Sequence, residues 1–193
     1  MITVDVIGYD QTCASNSGGI SRLYVGDADD FDWTSGTTNA QTSGYSAVTR
    51  QTGATHAGGA DLYELILMDD TGKVTITQSI ENGSSKWAFA VEGQLLKVQQ
   101  SLVQFAEKLD GANICGQLVW VWEDQNGKFW VAGEKFVDGD AIPKFKVKQN
   151  GSVIDYGQNL NSFNGMNLKA AGDYSRPAYE FTGGAAAIAA MQA

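Results

Sequence analysis

One histidine, two cysteines and two prolines stand in 193 residues, and each scarcity excludes something. His56 lies among Gly, Ala and Thr with no neighbouring Cys or carboxylate pair, so the spacing of a zinc site is missing. As a general base it would need a nucleophile brought to it by folding. Cys13 and Cys115 are too few for the disulfide framework of a small secreted domain. Two free thiols in a reducing compartment are the expectation. No CxxC, HExxH, GxSxG or GxxxxGK[ST] pattern occurs, and no GxGxxG follows a strand pattern. No catalysis, no cofactor and no metal are expected. Cations are also scarce: Lys and Arg total 13 against 22 Asp and Glu, for a formal net charge of −9 and a pI near 4.4. No basic surplus exists to displace counterions from nucleic acid or to draw the chain to an anionic membrane surface. No apolar run approaches the roughly 18 residues of a spanning helix. The opening MITVDVIGYDQT lacks a basic n-region and an apolar h-region, so no signal peptide is expected.

What the chain does have is β-pattern. Its length suits a single domain over 1–193, with 43% hydrophobic residues and 23 glycines. The stretch Ile114–Gly133 reads as a hairpin, with arms Gln117–Glu123 and Lys128–Gly133 around Asp124-Gln125-Asn126-Gly127. Leu118, Trp120 and Trp122 alternate against Val119 and Val121, and Phe129 and Val131 against Trp130. Both faces are apolar. An antiparallel sheet with one wet face would alternate apolar with polar. This hairpin is expected to be covered on both sides, by its own chain or by a neighbouring copy.

Other strands are read at Ile2–Ile7, Ile20–Val25, Phe31–Thr34, Asp61–Met68, Lys73–Ser79 and Lys86–Val98. Gly93 is read as a bend or bulge in the last of these. Weaker strands follow at Phe136–Val137, Lys144–Lys148, Val153–Asp155 and Met166–Ala170, and Pro177 keeps Ser175–Tyr179 extended or at an edge. One helix is expected over 99–110, because Val98, Leu102, Phe105 and Leu109 fall on one stripe, with Gly111 following. The fold class is therefore mainly β: an antiparallel sandwich or barrel with one flanking helix.

Ser35–Ala60 is the odd segment. It is made of Ser, Thr, Gly, Ala, Gln and Asn, with Tyr45 and Val48 as its sizeable apolar groups. Such composition buries too little apolar surface to offset its own ordering entropy, so it is read as an arm that orders on a partner. The small, apolar end GGAAAIAAMQA (residues 183–193) is read as a tail that docks on a neighbour. Asp27, Asp29, Asp30 and Asp32 stand close together, but lack the central Gly and closing Glu of an EF-hand, and read as a solvated turn. Glu123 with Asp124, and Asp138 with Asp140, are carboxylate pairs at turns, where acids are common anyway. A glycosidase pair is defined by three-dimensional separation that sequence does not give. The five Trp residues suit either a sugar-stacking platform or a core and subunit interface, and their strand positions favour the second.

The layout as a whole resembles the tail tube (major tail) proteins of tailed bacteriophages. The stretches that carry this are DLYELILMDDTGKVTITQS, WAFAVEGQLL, SLVQFAEKL, GQLVWVWEDQNGKFWVAG and SRPAYEFTG, with the early CASNSGGISRLYVGDADD. They span most of the chain. The resemblance implies a non-enzymatic virion protein, made in the bacterial host cytoplasm and located in the tail. It implies a homo-oligomer of stacked, hexameric rings that meets other tail proteins and conducts DNA without binding it tightly. On that reading Trp120, Trp122, Phe129 and Trp130 serve core or interface packing, and Tyr45 and Val48 belong to an arm between rings. Within virion proteins a tail terminator, a head–tail connector or a capsid decoration protein has similar requirements. A carbohydrate-binding β-sandwich is the alternative from another class.

Overall fold

A computed structural model describes residues 19–34, 44–51, 61–81, 83–97, 100, 103, 118–133, 148–149, 153–157, 162–174 and 176–192. Strand β1 (Ile20–Asp27) passes through a single 3-10 turn at Ala28–Asp30 into β2 (Phe31–Thr34). β3 (Ala47–Arg50) and β4 (Tyr63–Leu65) are short. β5 (Lys73–Glu81) and β6 (Ser84–Leu96) make one long hairpin; β7 (Leu118–Asp124) and β8 (Phe129–Ala132) make another. Then come β9 (Lys148–Gln149), β10 (Val153–Asp155), β11 (Gly165–Tyr174), β12 (Tyr179–Phe181) and a short helix α1 (Gly184–Ala189). The fold is mainly antiparallel β.

The strands form three layers. The middle layer is a five-stranded sheet in the order β12-β8-β7-β1-β4. On one side lies a four-stranded sheet, β10-β11-β6-β5, with β9 also paired to β11. On the other side lie the β2-β3 pair and α1. Side-chain parity explains this stacking. Leu23, Val25, Trp120, Trp122 and Ala132 point from the middle sheet into a first core, where they meet Phe89, Val91 and Leu95 of β6 and Met166, Leu168 and Ala170 of β11. The intervening Tyr24, Val119, Val121, Phe129 and Val131 point into a second core with Phe31, Trp33, Val48 and Ile188. The two-faced apolar hairpin is thus covered on both sides by its own chain. Burial of each such side chain stabilises the fold by about 1.5–3 kcal/mol.

Four readings change. Tyr45 and Val48 are buried in the second core, 3% and 6% exposed, so they pack within this chain. The strand at Ala47–Arg50 pairs with β2, Trp33 opposite Val48, which binds the middle of the supposed arm to the domain. The tail also docks at home. Ile188 is buried, the Leu62 N–H donates to the Met191 carbonyl at 2.8 Å, and the Arg50 guanidinium donates to the Gln192 carbonyl at 3.2 Å. Gly93 makes no bulge. Leu168 pairs with it in an unbroken register from Leu96 to Trp87. Finally, the strand read at Asp61–Met68 shortens to β4, with isolated bridges at Leu62 and Leu67. The segment leaves β1 of the middle sheet after Leu65 and reaches β6 of the four-stranded sheet at Leu67, so neither sheet pairs its whole length.

The strand read at Ile2–Ile7, Cys13, His56, Cys115, the strand read at Phe136–Val137, the acidic pair Asp138 and Asp140, and the strand read at Lys144–Lys148 apart from Lys148 lie outside the described residues. So does the helix read at 99–110, apart from positions 100 and 103.

Candidate functional site

The Trp hairpin is built from its turn outward. Asp124 organises it. Its Oδ1 accepts from the backbone N–H groups of Asn126 (2.8 Å) and Lys128 (3.0 Å), and its Oδ2 accepts from the Trp130 indole Nε1 (3.0 Å). Gly127 takes φ +76, as the Asn-Gly signal requires. Burial alone would raise the Asp124 pKa. The hydrogen bonds from Trp130, Lys128 and Asn126 outweigh it and hold the carboxyl below its ordinary value of 3.8. Glu123 beside it lies 3.5 Å from the Arg22 guanidinium across the strand pair. This carboxylate pair is therefore occupied with holding a turn and a strand register.

Trp120, Trp122 and Phe129 are buried and Trp130 is half-buried. Trp33 is buried and Trp87 half-buried. Trp33, Trp120 and Trp122 are thus withdrawn from solvent, and parts of Trp87 and Trp130 remain at the surface. The indole N–H groups of Trp33 and Trp120 are buried without a hydrogen-bond partner among the described residues. Trp33, Tyr45, Tyr179 and Phe181 form one aromatic cluster: Trp33 meets Phe181 edge-on at 5.5 Å between centroids, and Tyr45 meets Tyr179 at 5.9 Å.

The acidic run does local work. Asp27 Oδ1 accepts from the Asp29 N–H at 2.9 Å and starts the 3-10 turn, and Asp32 Oδ1 accepts from Gln51 Nε2 at 2.9 Å. Among the described residues no three His, Cys, Asp or Glu side chains converge as a metal would need. No described helix is long and apolar enough to cross a membrane.

The features that stand out are on the four-stranded sheet. Its outer face is wet, with Lys73, Glu92 and Lys169 in one cross-strand row and an ion pair between Lys86 and Asp173 at 3.1 Å. Ala88, Ala90 and Ala171 lie between them. At one end of that face the character changes. The Leu67–Leu95 bridge and the Met68 N–H donating to the Gln94 carbonyl (2.7 Å) set Ile66 beside Leu96, and Met68 beside Gln94. Leu67 and Leu95 face the core, so Ile66, Met68 and Leu96 face out. Val153 joins them across the Gln94–Asn167 hydrogen bond of 3.0 Å. All four are exposed, Ile66 by 78%. At the opposite end Ile76 and Ile80 are exposed on the inner face, Ile80 by 74%.

These residues were not singled out from sequence, although two signals existed. Ile66-Leu67-Met68 and Leu95-Leu96 are contiguous apolar runs within strand patterns, and alternation must turn part of each outward. The other feature is the edge strand. β5 is open on the side away from β6 among the described residues. Comparison with protein-family models, with curated proteins and with solved structures found no match.

Proposed function

We propose that this chain is a non-enzymatic structural subunit that assembles with copies of itself, as a tail tube subunit of a tailed bacteriophage does. The observation that carries the reading is the edge of β5, which no strand among the described residues pairs on the side away from β6. It offers nine residues, KVTITQSIE, with β-branched side chains and no proline. An edge of that length is a template for another strand, and proteins that remain alone blunt such edges. The other flank of the same sheet ends in the three-residue β10. Joining these two different edges between copies is a heterologous contact, which closes into a ring when the rotation allows.

In such a ring the wet face of the sheet would line the channel or the outer wall. It carries Lys73, Lys86 and Lys169 against Glu92, Asp155 and Asp173. The acid surplus lies elsewhere, so the net charge of the chain is not the charge of this face. Passage of DNA along it would rest on balance and small side chains, with no cationic stripe to hold phosphates.

The test is mass in solution across a wide range of protein concentration. A discrete multi-subunit species supports the reading. A monomer at every concentration, including under crowding, overturns it.

A further inference from the structure

The β5–β6 hairpin fixes which backbone groups β5 turns outward. Glu81 pairs with Ser84 across the turn, and Gly83 takes φ +81. In a two-residue hairpin that flanking pair exchanges hydrogen bonds, and such pairs then alternate along the ladder. Ser79, Thr77, Thr75 and Lys73 therefore bond to β6. Bonds farther along β6 keep the same alternation. The Gln94 carbonyl accepts from the Met68 N–H at 2.7 Å on the β5 side, and the Lys97 N–H donates to the Asn164 carbonyl at 2.8 Å on the β11 side. The N–H and carbonyl groups of Val74, Ile76, Gln78 and Ile80 point the other way, to the side where β5 meets no strand among the described residues. Thr75, Ile76, Thr77 and Gln78 are all exposed, so β5 is bare on both faces there.

We infer that β5 pairs antiparallel with β5 of a second copy, across a two-fold axis at Thr77. Length selects the partner. The other strands at sheet edges are β2 and β3 of four residues, β4, β10 and β12 of three, and β9 of two. The far side of β11 is covered in pieces, by β9 opposite Ala170 and Ala171 and by β10 opposite Gly165, Met166 and Asn167. Among the described residues only another β5 presents as many outward groups as β5 does.

Register follows from using all of those groups. With Thr77 opposite Thr77, Val74 bonds to Ile80 and Ile76 to Gln78, and the two-fold axis repeats both pairs. Sliding the strands by two residues leaves Val74 or Ile80 without a partner. Side chains agree with this register. On the wet face Thr77 meets Thr77 and Thr75 meets Ser79, and on the inner face Val74 meets Ile80; cross-strand pairs of these types stabilise a sheet. The two Lys73 side chains stand at opposite ends of the ribbon, whereas in-register parallel pairing would set them together. The two four-stranded sheets become one, and the β5 edge is used up. The ring reading above takes this same edge for its junction. On that reading a paired copy is withheld from a ring, and the pair is the form of the subunit before assembly.

The experiment places one cysteine at the axis. Thr77→Cys and Thr75→Cys are each made in the full chain carrying Cys13→Ser and Cys115→Ser, checked for folding by circular dichroism, oxidised with diamide and run on a non-reducing gel. At position 77 the two Cα atoms face each other at about 4.5 Å, within disulfide reach. At position 75 they are offset by roughly 13 Å along the strands, out of reach. The expected result is a disulfide dimer from Thr77→Cys, formed about tenfold or more faster than from Thr75→Cys. The joined pair forms no rings until it is reduced. Equal rates, or no dimer from Thr77→Cys, overturn the pair, and rings seen in the same samples leave the ring reading standing. A dimer joined at position 77 with no rings after reduction sustains the pair and counts against the ring. Rings built from the joined pair overturn its holding role. Where the cysteine-free background does not fold, Gln78→Pro and Gln78→Ala in the natural chain take its place. Proline there removes one outward N–H and spares the ladder to β6. Gln78→Pro should move the mass from dimer to monomer and Gln78→Ala should not. A dimer from both, or from neither, overturns the pair.

Discussion

Leu67 occupies the space that a side chain on residue 93 would need: a Cβ added to Gly93 would lie 2.8 Å from Leu67 Cδ2. The glycine is therefore there for close approach, not for a bend. Leu67 is held from a second side, since a Cβ on Gly72 would lie 2.8 Å from its Cδ1. Gly93→Ala should destabilise the domain by about 1–3 kcal/mol through overpacking, somewhat offset by lower unfolded-chain entropy. Urea unfolding measures it. In a Leu67→Ala background the same change should cost much less, and equal costs in both backgrounds would contradict the contact.

Tyr45 distinguishes a core residue from an arm residue. Its backbone is fixed on both sides, with its N–H donating to the Glu180 carbonyl at 2.8 Å and its carbonyl accepting from the Thr182 N–H at 2.7 Å. Tyr45→Ala should cost about 3 kcal/mol of folding stability, as truncation of a buried aromatic does. Unchanged stability with impaired assembly would restore the arm reading.

Ile188 fastens the C-terminal segment. A six-residue helix of alanine and glycine has no stability of its own, so its position depends on that side chain. Ile188→Ala should cost about 2 kcal/mol and should speed proteolysis at the chain end. A loss below about 0.5 kcal/mol would mean that the backbone bonds to Leu62 and Arg50 suffice.

Asp124 gives the hairpin an acid dependence. Its folded pKa is depressed, so its contribution is present above the ordinary carboxylate value of 3.8 and is lost as pH falls from there through the folded value. The turn is partly solvated, which limits the effect. Asp124→Asn should cost about 1 kcal/mol at neutral pH and should lose less stability than the native protein on acidification below that value. Denaturant titrations at pH 7 and pH 3 measure both. Parallel pH profiles would contradict the role assigned to this carboxylate.

The strands with strong apolar alternation were legible from sequence, with β2 recovered at its ends and β5, β6 and the Trp hairpin within a few residues. So was the need to cover both faces of that hairpin. Its cover was not legible, because Trp33, Tyr45, Val48 and Ile188 are single apolar residues spread over segments of low hydrophobicity. Each supplies one anchor, and only the fold adds them together. The Gly93 reading failed for a related reason. A glycine in a strand fits a bulge or a close neighbour, and the neighbour, Leu67, approaches through a bridge outside regular strand pairing. The exposed residues Ile66 and Leu96 were hidden by their type, since apolar residues in strands are read as core until register shows which way they face.

Self-assembly is the central claim, and negative-stain electron microscopy of the purified protein, beside its mass in solution, tests it most directly. The account predicts hollow rings that stack into tubes. A monodisperse monomer at high concentration, with no rings or tubes on the grid, would contradict it.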